Sequence, residues 1–206
     1  MAAFDTLAPT WVASEGLATG DEGAVLDHAR QLDRFLADVE RRAFRIAQIA
    51  LRDVDDALDA VQEAMTKLAA RYAARPAAEW RPLFHRILEN TIHDVQRRRA
   101  IRRRVMAWAP PWRQHADDPP EEDPAELAAD PSPHGVERAM RTQALERLEA
   151  SLRALPARQR QAFLLRNFEG LDVAETAAAM ACSEGSVKTH YSRAVHALRA
   201  RLGEVW

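Results

Sequence analysis

The sequence predicts an all-α protein: two small helical domains joined by an acidic, proline-rich linker, the second ending in a helix-turn-helix. Three observations predict it. Apolar residues recur at spacings of three and four, the period of a helix with one buried face. No run alternates as a strand does, and no Asn-Gly or Asp-Gly hairpin signal occurs. Seven of the eleven prolines fall between Pro110 and Pro133, in "PPWRQHADDPPEEDPAELAADPSP", together with Asp117, Asp118, Glu121, Glu122 and Asp123. Proline removes backbone donors and like charges repel, so residues 107–137 read as an extended linker. A chain of 206 residues is long enough for one or two domains with real cores, and the linker divides it into residues 32–106 and 138–206.

The elements follow in order. Residues 1–31, with scattered Gly, Thr and Asp, read as a weakly ordered leader with room for one short helix. In residues 34–51, Phe35, Val39, Ala43, Ile46 and Ala50 form a stripe. In residues 55–72, Leu58, Val61, Met65, Leu68 and Tyr72 form a second. In residues 80–104, Trp80, Phe84, Ile87, Thr91 and Val95 line one face, and Pro82 suits a first helical turn, where its missing N–H costs little. Beyond the linker, one helix is expected over 138–154 and another from Pro156 to about Asn167, closed by Gly170. Asp172 and Glu175 have the spacing of a capping box for "DVAETAAAM". The turn Ala181-Cys182-Ser183 then leads to a helix from Ser183 to Leu202, with Val187, Tyr191, Val195, Leu198 and Leu202 inward. Two helices joined by so tight a turn, with small Ala177 and Ala178 at the crossing, make a helix-turn-helix.

Charge is distributed more tellingly than it sums. The formal net charge is −2, yet residues 86–104 hold seven Arg against Glu89 and Asp94, a local +5. Residues 138–206 hold eleven Lys/Arg against seven Asp/Glu, a local +4. Such asymmetry points to a nucleic-acid partner. The recognition helix of a helix-turn-helix places its N-terminal part in the major groove. Ser186, Thr189, His190 and Arg193 share one face there, bordered by Lys188 and Ser192. Hydroxyls bond bases or phosphates, and Arg pairs bidentately with guanine. In the first block "RRRAIRRR", Arg97–Arg104, is six Arg in eight residues, following a face with Asn90, His93, Asp94 and Arg97. Trp80 and His85 stand near the start of that helix. Arg with aromatic groups suits phosphate contact and base stacking on an opened strand, which nominates Trp80, Arg97 and Arg98. The middle helix carries Asp55, Asp56, Asp59, Gln62 and Glu63 outward, a docking surface for a basic helical partner.

No catalytic constellation is visible. Asp55, Asp59 and Glu63 lie along one helix face with nothing to perturb them, and there is no His-Glu-x-x-His zinc signature, phosphate-binding Gly loop or nucleophile elbow. Neither catalysis nor a cofactor or metal is expected. Cys182 is the only cysteine, which excludes an internal disulfide and a Cys-based metal cage. The N-terminus lacks a basic start followed by an apolar run, and no stretch approaches the ~18 apolar residues of a membrane span, so a cytoplasmic location without membrane insertion is expected.

"DVDDALDAVQEAMTKLAARY", "WRPLFHRILENTIHDVQRRR" and "LPARQRQAFLLRNFEGLDVAETAAAMACSEGSVKTHYSRAVHALRARL" resemble a bacterial RNA polymerase sigma factor of the sigma-70 family, in its extracytoplasmic-function (ECF) subgroup. The resemblance covers about residues 34–104 and 140–202, and it is most specific in the second stretch. It implies a transcription initiation factor. Region 2, residues 32–106, would bind core polymerase and the promoter −10 element, and region 4, residues 138–206, the −35 element. The acidic face, with Asp56, Asp59, Gln62 and Glu63, would meet the basic β′ coiled-coil of the polymerase. By the same resemblance Asn90, Asp94 and Arg97 would lie on the −10 module, and Ser186, Lys188, Thr189, His190, Ser192 and Arg193 would contact −35 DNA. Many relatives are held by an anti-sigma factor, which adds a possible third partner. The loop "ARYAARPAAEW" departs from the family pattern in lacking its Gly-containing segment. The linker repels itself, so the two modules are expected to hang apart until polymerase fixes their spacing. The competing reading is a stand-alone helix-turn-helix regulator, which leaves the acidic and Arg-rich helices without employment.

Overall fold

Helix α1 spans Thr19–Leu51, α2 Val54–Tyr72 and α3 Ala77–Ala107 in a computed structural model that describes residues 19–107 and 133–203, with side chains over 26–104 and 140–203. The second block holds α4 (Pro133–Arg153), α5 (Ala157–Phe163), α6 (Val173–Met180) and α7 (Glu184–Leu202). No strand occurs among the described residues, as the sequence predicts.

Helix α1 begins earlier than expected, so residues 19–31 of the predicted leader are helical. Tertiary contacts hold them. Leu32 is buried, and the His28 ring meets Trp80 edge-on at 4.9 Å while its Nε2 lies 2.5 Å from the Ala73 carbonyl oxygen. The leader's first 18 residues lie outside the described residues. At the other end α1 hands over to α2 within two residues. Arg52 takes a left-handed conformation (φ 62°), and Asp53 caps α2 by accepting from the Asp56 N–H at 2.8 Å.

Helix α2 turns Ala57, Ala60, Val61, Ala64 and Leu68 inward. The stripe predicted for it is shifted at its start: Leu58 is 51% exposed. Three alanines bring α2 close to α1 and α3, and that rotation carries Leu58 out. Helix α3 buries Trp80, Phe84, Leu88 and Ile92, every fourth residue. It begins three residues before the expected start, which puts Pro82 past the first turn, where it withholds one helical N–H. Farther along, Gln96 Nε2 donates to the Ala50 carbonyl at 3.1 Å and Arg99 Nη1 to that of Leu51 at 2.8 Å. Those are carbonyls that the end of α1 leaves without helical partners.

Both ends of the predicted linker are helical, since α3 runs to Ala107 and α4 starts at Pro133; residues 108–132 lie outside the described residues. The two blocks do not hang apart. Leu152, Leu155, Phe163 and Leu164 of the second belong to the same apolar cluster as Ile46, Ile49, Leu88 and Ile92 of the first. A self-repelling tether sets no lower limit on domain separation, and burial of these side chains at about 25 cal/mol per Å² favours contact.

Candidate nucleic-acid interface

The helix-turn-helix is fixed by local chemistry. Asp172 and Glu175 close the predicted capping box: each side chain accepts from the other's backbone N–H at 2.8 Å. Helix α6 ends on Ala181 in the left-handed region (φ 50°), and the Cys182 N–H returns to the Ala177 carbonyl at 3.1 Å. Ser183 then caps α7, its Oγ accepting from the Ser186 N–H at 3.2 Å. Ala177 is buried at the helix crossing as expected, whereas Ala178 is exposed and Ala179 takes the second inward place.

Helix α7 is anchored by a narrow stripe of Val187, Ala194 and Leu198. Tyr191, half-buried, stacks on Phe163 at 6.3 Å, lies 5.9 Å from the Arg166 guanidinium and donates its hydroxyl to Asn167 Oδ1 at 3.2 Å. The polar face is left to solvent: Lys188, Thr189, Ser192 and Arg193 are exposed, Ser186 and His190 half-exposed. Two hydroxyls are locally engaged. Ser186 Oγ lies 2.9 Å from Ser183 Oγ, and Thr189 donates to the Gly185 carbonyl at 2.9 Å, which leaves both oxygens free to accept.

On α3 the nominated residues divide. Asn90, Asp94, Arg97 and Arg98 share an exposed face; Arg97 pairs with Asp94 at 3.4 Å and Arg98 Nε donates to the Asp94 carbonyl at 3.3 Å. Trp80 departs from expectation. It is 1% exposed, packed against Phe35 and His28, with its Nε1 donating to the Tyr72 carbonyl at 3.3 Å. An indole so enclosed is part of the core and offers no face to a base. His85, also placed near the helix start, is buried against the second domain.

The acidic face is partly self-paired. Asp56 is held by Arg99, which also reaches Asp53 at 3.3 Å, and Glu63 pairs with Lys67 at 2.6 Å. Asp59 and Gln62 are exposed. Beside them runs a feature the periodicity hid, an open groove of about 530 Å³ lined by Glu40, Arg41, Phe44, Leu58, Val61, Gln62 and Met65. The exposed Leu58 is part of its wall rather than of the core.

Two carboxylates lie between the domains, Glu169 buried and Glu89 half-buried. Glu169 sits under Arg42 and His85, and Glu89 of α3 faces Arg158 and Arg160 of α5. Burial alone would raise Glu169, but the neighbouring His85 and Arg42 more than offset it and hold the carboxyl below the usual 4.5. Glu89 goes the other way: burial dominates and raises it, with His93 and the two arginines compensating only in part.

Comparison with known proteins matches residues 145–198 to the family "Sigma-70, region 4". The second block is similar to that region over those residues. No curated protein matches. Among solved structures, the chain resembles the sigma factor RpoE of Bartonella quintana, solved with the anti-sigma factor NepR, at 22% identity and a TM-score of 0.57, over 84% of this chain and 96% of that one. It also resembles CnrH, solved with the cytosolic domain of CnrY, at 20% identity and a TM-score of 0.51, over 87% and 92%. These findings bear out the resemblance to an ECF sigma factor of the sigma-70 family, by sequence in the second block and by fold over most of the chain. No helix among the described residues is long and apolar enough to cross a membrane.

Proposed function

We propose that this chain docks on core RNA polymerase in the cytoplasm and directs it to promoters by reading −10 and −35 elements. The observation that carries the reading is the open polar face of α7, set on a region 4 domain with nothing of its own chain covering it among the described residues. Ser186, Lys188, Thr189, His190, Ser192 and Arg193 would meet the −35 duplex, with Arg193 the strongest candidate for bidentate base contact. Asn90, Asp94, Arg97 and Arg98 would meet the −10 region, where the Arg run favours phosphate. Trp80 has no part in it. The acidic side of α2 suits the basic β′ coiled-coil through Asp59, Gln62 and Glu63, and the groove at Leu58 and Phe44 adds an apolar seat for a helix. Asp56 contributes only if Arg99 releases it. An anti-sigma factor is a further partner, since RpoE was solved bound to one.

The chemistry of RNA synthesis belongs to polymerase; this chain supplies recognition. Transcription by core polymerase from a promoter fragment, with this chain as the sole initiation factor, tests the proposal. Initiation at a defined start site supports it. Charge reversal by Asp59→Arg with Glu63→Arg should weaken core binding at least tenfold, read by competition for core enzyme. Unchanged competition removes the docking assignment.

A further inference from the structure

We infer that the arginines gathered around the end of α4 form a binding site for a small phosphorylated anion, a diphosphate group either free or carried by a nucleotide. The site goes beyond promoter reading and does not rest on it.

Four elements meet at this place. An open groove of about 450 Å³ is lined by Arg52, Ala150, Arg153 and Ala154. Arg52 stands at the hand-over from α1 to α2, and Arg153 is the last residue of α4. Two more arginines, from α5 and α7, border the groove by bonding the carbonyls that the end of α4 leaves without helical partners. Arg160 Nη1 donates to the Arg153 carbonyl at 3.5 Å. Arg201 Nη1 donates to the Ser151 carbonyl at 3.2 Å and Nη2 to that of Ala154 at 3.5 Å. The two alanines add only methyl groups to the wall, so the polar chemistry of the groove is that of its arginines.

The positive charge is not spent within the chain. Arg52 is exposed, and no hydrogen bond or ion pair engages its guanidinium among the described residues. Arg153 makes one charged bond, Nη2 to Glu149 Oε2 at 3.1 Å, while its buried Nε has no hydrogen-bond partner among the described residues. Glu149 is itself shared, since Arg45 reaches its other oxygen at 3.3 Å. Glu89 is divided in the same way between Arg158 and Arg160. Asp53, next to Arg52 in sequence, is occupied in capping α2 and pairing with Arg99. Burial lowers Arg160 from its ordinary value, Glu89 offsets part of that, and the like charge of Arg52 lowers it further. Arg52 and Arg160 are thus close enough to repel, and an anion between them would turn that repulsion into attraction.

Phosphate suits this arrangement. The guanidinium fork matches phosphate oxygens two at a time, and the bonds are charge-assisted. A lone carboxylate satisfies one fork, whereas a diphosphate offers oxygens to several arginines at once. The volume falls among those of small-ligand sites, about 300–1,000 Å³. The groove is also remote from the polar face of α7, because Arg201 lies about 18 Å along that helix from Thr189. A small anion therefore fits it better than the duplex which that face would read.

The test titrates the full chain with sodium pyrophosphate by calorimetry, free of divalent cations and at fixed ionic strength. One pyrophosphate should bind per chain, at least tenfold more tightly than sulfate. Arg52→Asn removes the charge but keeps a residue that accepts the left-handed backbone, and it should weaken binding at least tenfold with helical circular dichroism unchanged. Arg153→Gln, a second and independent change, should do the same. Arg75→Gln, beyond the other end of α2, should leave binding as it was. ADP in the same titration sorts the source: binding as tight as pyrophosphate or tighter assigns a nucleotide, weaker binding the free anion, and either supports the site. Equal binding of sulfate overturns it, as does unchanged pyrophosphate binding in a folded Arg52→Asn or Arg153→Gln protein. Displacement of pyrophosphate by duplex DNA without promoter sequence also overturns it and gives the arginines to the DNA backbone. The titration contains neither polymerase nor promoter, so failure of the promoter reading leaves its outcome untouched.

Discussion

Helices α3 and α7 are the two long basic helices of the molecule, and they are used differently. Helix α7 gives one narrow stripe to its own domain, Val187, Ala194 and Leu198, and leaves the rest of its first turns open. Helix α3 is committed on two sides. Trp80, Phe84, Leu88 and Ile92 fill the core of the first domain, while His85 and Glu89 face the second. Only a third side, with Asn90, Asp94, Arg97 and Arg98, remains exposed. The same mixture of apolar, imidazole and cationic residues thus leaves an open polar face on one helix and serves mostly assembly on the other.

The largest effect that sharpens this contrast is at Trp80. Trp80→Ala should lower the stability of the protein by about 3–5 kcal/mol in urea unfolding, since a fully enclosed indole leaves a large cavity. A loss of promoter opening at unchanged stability would return Trp80 to the DNA face. Next comes Arg193→Ala, which should weaken binding of a −35 duplex by about 1–3 kcal/mol in fluorescence anisotropy. Its stability should stay within about 0.5 kcal/mol, as for an exposed side chain. Smaller still, Asp172→Ala removes the capping box of α6 and should cost about 1 kcal/mol of stability, measured by thermal melting.

The subtlest effect separates the two carboxylates between the domains. Glu169 is held below its ordinary value, so its stabilising share is present above 4.5 and lost as pH falls through its depressed folded value. Glu89 is raised, so its share is present below 4.5 and lost as pH rises through its elevated folded value. Acidification from neutrality should therefore first stabilise the fold and only later, below 4.5, destabilise it. Glu89→Gln should abolish the first change and keep the second, in urea unfolding followed against pH.

How legible each helix was follows from the number of faces it uses. Periodicity finds one buried stripe, so the inward residues of α7, and by subtraction its polar face, were readable. The capping box and the turn at Ser183 were readable because their hydrogen bonds are local. Leu58 was misplaced because alanines at 57, 60 and 64 set how α2 rolls against its neighbours, and small side chains leave a weak periodic signal. Trp80 was placed on the inward stripe correctly, and only its second nomination, as a base-stacking group, fails on its burial. The site between the domains was invisible. Arg42 and Glu169 are 127 residues apart, and no spacing rule links a lone carboxylate before a glycine to an arginine in the first helix. The leader was allowed one short helix, but its continuity with the first long helix was not read, because it depends on His28 finding Trp80 and Ala73, again a contact across the fold.

The central claim, that the open face of α7 and the exposed side of α3 read separate stretches of one duplex once polymerase holds the chain, is tested most directly by footprinting. Core polymerase with this chain should protect two segments of a promoter centred about 25 base pairs apart, and Arg193→Ala should erase the upstream one alone. A single protected segment, formed equally well without polymerase, would contradict the account.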